Sequence, residues 1–154
     1  MRKGLCGTLS FIVLLAGTLG AGALTIDPVI SPNQVFQCDE NGIANLFISG
    51  TSTVEKGIVQ VRITSPLPGA PHWAVLGKIE DGRWASTLTG ISAGGPYRFD
   101  FRARDEAGNV AGEASVHNIL VGDIWVLAGQ SNMQGVGNLL ETAEPHPRVH
   151  VFSM

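Results

Sequence analysis

The 154-residue chain has ten Lys and Arg against thirteen Asp and Glu, a formal net charge of −3, and 44% hydrophobic residues. A mildly acidic chain with no basic block lacks the electrostatic footprint of a nucleic-acid binder. Its only cysteines, Cys6 and Cys38, exclude a disulfide-stapled scaffold.

The chain opens on Met1 and the basic pair Arg2-Lys3, continues through an apolar stretch over residues 5–19, and reaches Ala21-Gly22-Ala23. A charged start, an apolar core and a small-x-small site make a signal peptide over residues 1–23, with cleavage expected after Ala23. An uncleaved anchor is the competing reading. The apolar core is short against the ~20 residues of a membrane span and contains several glycines, so no stable membrane insertion is expected once the signal is removed. The expected destination is secreted or periplasmic. Removal takes away Arg2, Lys3 and Cys6, leaving a more acidic chain whose one thiol, Cys38, lies in a polar Gln-Cys-Asp-Glu stretch. No cysteine stands at the cleavage position, so lipidation is not indicated.

Residues 24–120 read as an all-β module. Residues 34–37 and 43–48 are short apolar-rich runs, and Asp39-Glu40-Asn41-Gly42 between them holds the Asn-Gly pair that favours a tight reversal. A first hairpin is expected there. Apolar and polar residues then largely alternate over 58–63, as a strand with one wet face requires, until Pro66, Pro68, Gly69 and Pro71 stop the run. Residues 72–79 give another strand, Asp81-Gly82 a turn, and residues 83–88 the returning strand. From Tyr97 the alternation is clean: Tyr97, Phe99, Phe101 and Ala103 share one face and Arg98, Asp100, Arg102 and Arg104 the other. The aromatic face should enter the core. Residues 105–109 form a turn, and residues 114–120 a last strand. About seven short strands spaced by turns suggest a β-sandwich.

Trp73, Trp84 and Tyr97 could stack on sugar rings, although aromatic residues at strand spacing more often belong to a core. The arginines of the 98–104 strand read as a solvated face. His72 and His117 have no Cys, His or carboxylate at metal-ligand spacing, so no metal is expected. Such a module could bind carbohydrate, act as a rigid spacer, or pack as a wall on a neighbouring domain, and fold alone does not choose among these.

Residues 124–128, Ile-Trp-Val-Leu-Ala, are nearly continuously apolar, the pattern of a strand buried on both faces of a parallel sheet. Gly129 ends the run. In open α/β sheets the reacting groups collect beyond the carboxyl ends of the strands, which would place Ser131 at an active edge. Backbone N–H groups after such a turn can point at a developing oxyanion. Taken alone, a serine beside glycine and asparagine is more often a polar turn residue.

The block Gly129-Gln130-Ser131-Asn132-Met133, preceded by Gly122-Asp123-Ile124-Trp125, resembles the first sequence block of the SGNH-type hydrolases, and within them the sialate O-acetylesterase and acetylxylan esterase group of carbohydrate esterases. The segment Pro145-His146-Pro147-Arg148-Val149-His150-Val151-Phe152 is more loosely similar to the stretch that follows in those proteins. Residues 97–109 also resemble bacterial immunoglobulin-like or fibronectin-like modules.

The first resemblance implies a secreted serine esterase removing O-acetyl groups from a sialic acid or a polysaccharide, with no cofactor. Ser131 would be the nucleophile, and Gly129, Gln130 and Asn132 would shape the turn or support the oxyanion. A neutral serine hydroxyl needs a base within hydrogen-bonding reach, itself oriented by a third group. The Asp/His pair of the family is not found after Ser131, and His146 and His150 lack an acid placed as the family places it. Residues 121–154 are therefore expected to be the start of an incomplete α/β hydrolase domain, inactive alone, behind an immunoglobulin-like sandwich. The rival expectation is a secreted carbohydrate-binding or adhesion module without catalysis.

Overall fold

A computed structural model describes residues 23–27, 29–65, 70–129 and 144–151. Eight strands follow in chain order: β1 (Leu24–Ile26), β2 (Val35–Gln37), β3 (Ile43–Ser52), β4 (Lys56–Thr64), β5 (Ala74–Glu80), β6 (Arg83–Ser92), β7 (Gly94–Asp105) and β8 (Val110–Gly122). They hydrogen-bond in the order β1-β3-β6-β5-β4-β7-β8-β2. The β5–β6 ladder is confined to the pair Glu80 and Arg83, at the Asp81-Gly82 turn. At that point the ribbon folds over, so β1-β3-β6 faces β5-β4-β7-β8-β2. Both turn residues have positive φ, 50° and 69°, the conformation of a two-residue hairpin turn that Asp-Gly favours. The strand order is that of an immunoglobulin-like sandwich.

The core lies between the two layers. Alternation places Tyr97, Phe99, Phe101 and Ala103 inside, and Phe99, Phe101 and Ala103 are fully buried (0% exposed). Trp84 of β6 meets Phe101 of β7 at 6.2 Å between ring centroids, which joins the layers through their largest side chains. Ile48, Val59, Ile79 and Ile119, from β3, β4, β5 and β8, are with Phe99 and Phe101 the largest fully buried side chains among the described residues.

The expected first hairpin is not formed. Both of its strands exist, but β2 pairs in parallel with β8, Val35 opposite Leu120, while β3 pairs with β1 and β6. The reversal at residues 39–42 is nevertheless tight. The Asp39 carboxylate accepts the Asn41 and Ile43 amides at 2.9 and 2.8 Å, and Gly42 takes φ +72°. Turn chemistry fixed the bend but not the partner. A three-residue β2 offers β3 far less ladder than the ten-residue β6, so β3 stays in one layer and β2 crosses to the other.

The expected buried strand over residues 124–128 is not formed either. Beyond β8 the described chain has no regular structure, and Trp125, Val126 and Leu127 are 82%, 87% and 81% exposed. A strand of this composition is stable only when other strands and helices cover both of its faces. Among the described residues none does, and there is no helix. The α/β part of the expected architecture is thus not seen, and the described fold is all-β.

Candidate functional site

Of the serine-turn residues, Gly129 is exposed and outside any strand, and Gln130, Ser131 and Asn132 lie outside the described residues. The departure of the chain toward them is nevertheless defined. Gln37, the last residue of β2, accepts the Ile124 amide at 2.8 Å through Oε1 and donates to Asp123 Oδ1 at 3.3 Å through Nε2. Cys38 donates its amide to the Gly122 carbonyl, continuing the parallel β2–β8 pairing by one residue.

The two downstream histidines are engaged locally. His146 Nδ1 accepts the Arg148 amide at 3.2 Å, within a turn closed by Val149 N–H on the His146 carbonyl. His150 reaches back to the sandwich, its Nδ1 2.7 Å from the Asn33 carbonyl and its Nε2 3.5 Å from Asn118 Nδ2. Asn118 Nδ2 also donates to Asn33 Oδ1 at 2.6 Å. Both asparagines have left-handed backbone, φ 67° and 57°, a conformation Asn tolerates better than most non-glycine residues. The downstream segment is therefore tied to the sandwich at the loop before β2 and to β8. Among the described residues no three His, Cys, Asp or Glu side chains converge where a cation could be held.

The three aromatic candidates separate. Trp84 and Tyr97 are core residues, 3% and 6% exposed, and the Tyr97 hydroxyl donates to the Ser92 carbonyl at 2.8 Å. Trp73, just ahead of β5, is half-buried on the outer face of the β4–β7 layer. Its ring packs on two guanidiniums, with Arg62 Cζ 4.7 Å and Arg102 Cζ 4.1 Å from the centroid.

The arginine face is more organised than a solvated strand. Asp100 is only 7% exposed although it points away from the aromatic core. Its Oδ2 accepts Arg62 Nη2 at 3.0 Å and its Oδ1 accepts Arg98 Nε at 2.7 Å. Burial alone would raise the Asp100 carboxyl, but the hydrogen bonds and charges of Arg98 and Arg62 outweigh it and hold its pKa below the ordinary value. Arg102 Nε donates to Gln60 Oε1 at 2.8 Å. The register explains the cluster, since Gln60 lies opposite Arg102 and Arg62 opposite Asp100 on adjacent antiparallel strands. The alternation over 97–104 gave one strand of this face. The contributions of Gln60, Arg62 and Trp73 required knowing which strand lies beside β7, which no local pattern encodes.

No family model matches the chain. Over 51 residues, 33% of this chain, it is 39% identical to the mouse (Mus musculus) protein named sialate O-acetylesterase, and the match spans 9% of that protein's length. Among solved structures it is similar to a bacterial immunoglobulin-like domain from the M. primoryensis ice-binding adhesin, at 20% sequence identity and a TM-score of 0.37, over 67% of this chain and 98% of that one. The all-β immunoglobulin-like assignment rests on strand order and core; the esterase likeness is a partial one, limited to its 51-residue span.

Proposed function

We propose that the described body of this chain, residues 24–122, is a non-catalytic carbohydrate-binding sandwich of an exported protein. The observation that carries the reading is architectural. The described core lies within β1 to β8, whereas among the described residues the apolar run that follows is neither paired in a ladder nor covered. Export is supported by the leader-like residues 1–23, since β1 begins at Leu24, directly after the expected cleavage point. Glycan-array binding by the full chain tests the proposal. Retention of sugars by a folded protein supports it, and a folded protein that retains none refutes it.

A second reading is favoured by a separate observation, the 39% identity over 51 residues to an esterase together with the block Gly129-Gln130-Ser131-Asn132-Met133. In it the sandwich precedes a serine esterase domain that removes O-acetyl groups from carbohydrate. Ser131 would attack the acetyl carbonyl as a histidine takes its proton. Backbone N–H groups would hold the tetrahedral oxyanion, and water would then release acetate from the acyl-enzyme, with no cofactor required. Gly129, Gln130 and Asn132 would shape the turn. His150 is held to Asn33 through Nδ1, away from any placed acid, and this reading takes its base from the Asp/His pair that the resemblance implies. The gene sequence beyond codon 154 tests this reading. An Asp-x-x-His block there, in a protein whose acetylesterase activity is lost in Ser131→Ala, supports it. Ser131-dependent turnover by residues 1–154 alone would instead assign the base to His146 or His150.

A further inference from the structure

We propose that the outer face of the β4–β7 layer binds a carboxylated sugar, with Trp73 as the stacking surface and Arg62, Arg98 and Arg102 as the carboxylate-reading groups. The inference rests on the carbohydrate-binding reading above and names its site and ligand class.

Three features set this face apart from an ordinary polar strand surface. The first is charge. In a chain of net −3, the face gathers Arg62, Arg98, Arg102 and Arg104 against Asp100 and, across the β7–β8 register from Arg102, Glu113. Glu113 is exposed and makes no ion pair with Arg102 among the described residues. The second feature is fixation. Asp100 holds Arg62 and Arg98, and Gln60 holds Arg102, so the guanidiniums are oriented before any ligand arrives.

The third feature is the donors left over. Arg98 and Arg102 each use Nε internally, and no protein acceptor among the described residues takes their terminal nitrogens. A planar guanidinium with its terminal N–H groups free is the usual partner for bidentate carboxylate recognition. Beside them Trp73 is half-exposed on the surface. An indole accepts the C–H face of a pyranose ring, while cation–π contact with Arg62 and Arg102 keeps the ring in place. A free anion would use the arginines alone, and a neutral sugar the tryptophan alone. A ring bearing a carboxylate uses both.

The test is calorimetric titration of the full chain with trigalacturonate, with galactotriose as the neutral counterpart and hexaglutamate as the anion that lacks a sugar ring. Trigalacturonate is expected to bind about tenfold more tightly than either, the scale of one added charge-assisted contact. Arg98→Gln, which does not touch Trp73, should remove that advantage without changing galactotriose affinity, whereas Arg102→Gln, which also withdraws a contact from the Trp73 ring, should weaken the acid more than the neutral sugar. Trp73→Ala should weaken both sugars, and added salt should weaken only the acid. Circular dichroism of each variant verifies the fold. Equal affinity for trigalacturonate and galactotriose, equal affinity for hexaglutamate, or indifference of trigalacturonate binding to the arginine variants in folded protein each overturns this inference while leaving carbohydrate binding intact. Failure of the folded chain to bind any sugar overturns both.

Discussion

His150 is hydrogen-bonded to Asn33 across 117 residues of chain, its Nδ1 2.7 Å from the Asn33 carbonyl, with Asn118 beside the same ring. This contact returns the downstream segment to the loop ahead of β2. His150→Ala should release residues 144–151, seen as faster amide exchange or protease cleavage there. The melting temperature of the sandwich should hardly move, because a single exposed hydrogen bond contributes only about 1 kcal/mol. Equal protection of residues 144–151 in the variant would refute the tether.

Phe101 holds the two layers together through its contact with Trp84. Phe101→Ala removes a fully buried ring and leaves a cavity, at a cost of about 3–5 kcal/mol. Against the roughly 5–15 kcal/mol that stabilises a typical domain, chemical denaturation should show a large fall in midpoint.

Acid should destabilise the sandwich through three carboxylates whose folded pKa values are lowered. In Asp39 the Ile43 amide is the largest cause, and in Asp105 it is the Asn109 side chain. In Asp100 burial opposes the shift, and Arg98 and Arg62 overcome it. A depressed folded pKa gives stability that is present above the unfolded value of about 3.9 and is lost as pH falls through the folded value. Urea midpoints should therefore be flat near neutrality and drop below about pH 4. Asp100→Asn should lower stability at pH 7 by about 1 kcal/mol and make the acid decline shallower. A decline of unchanged steepness would remove Asp100 from the account.

Gly50 of β3 sits where β1 crosses closest. A Cβ there would run into the Thr25 carbonyl and the indole of Trp84. Gly50→Ala should push β1 off the edge of its layer, exposing the amides of residues 24–26 to exchange, with β7 and β8 unaffected. Full retention of β1 protection would contradict this geometry.

The sequence pattern was most informative where side chains alternate over a half-buried strand. Tyr97 to Arg104 sorted correctly into inner and outer faces, and the turns at Asp81-Gly82 and residues 105–109 were marked by their own residues. It was least informative wherever the answer depended on a distant neighbour. Val35 and Phe36 look like half of a hairpin with β3, yet their partners, Leu120 and Val121, are more than eighty residues away. Asp100 among arginines looks like a wet strand face until Arg62 of β4 is placed against it. The apolar run from Ile124 reads as a buried strand because hydrophobicity reports what a segment needs to have covered, and the described residues provide no cover for it. The residues singled out for chemistry, Gln130, Ser131 and Asn132, fall outside the described residues, and their roles rest on the resemblance.

The parallel pairing of β2 with β8 also has a kinetic meaning. The ladder joining β3 to β6 spans residues 43–92, so it can zip as soon as that stretch is available. β2 must wait, because its ladder partner among the described residues is made from residues 120–122. A contact that spans so much sequence forms late and slows folding. During synthesis β2 thus stays open until β8 arrives, and truncation of even the last three residues of β8 would leave that seam permanently unzipped.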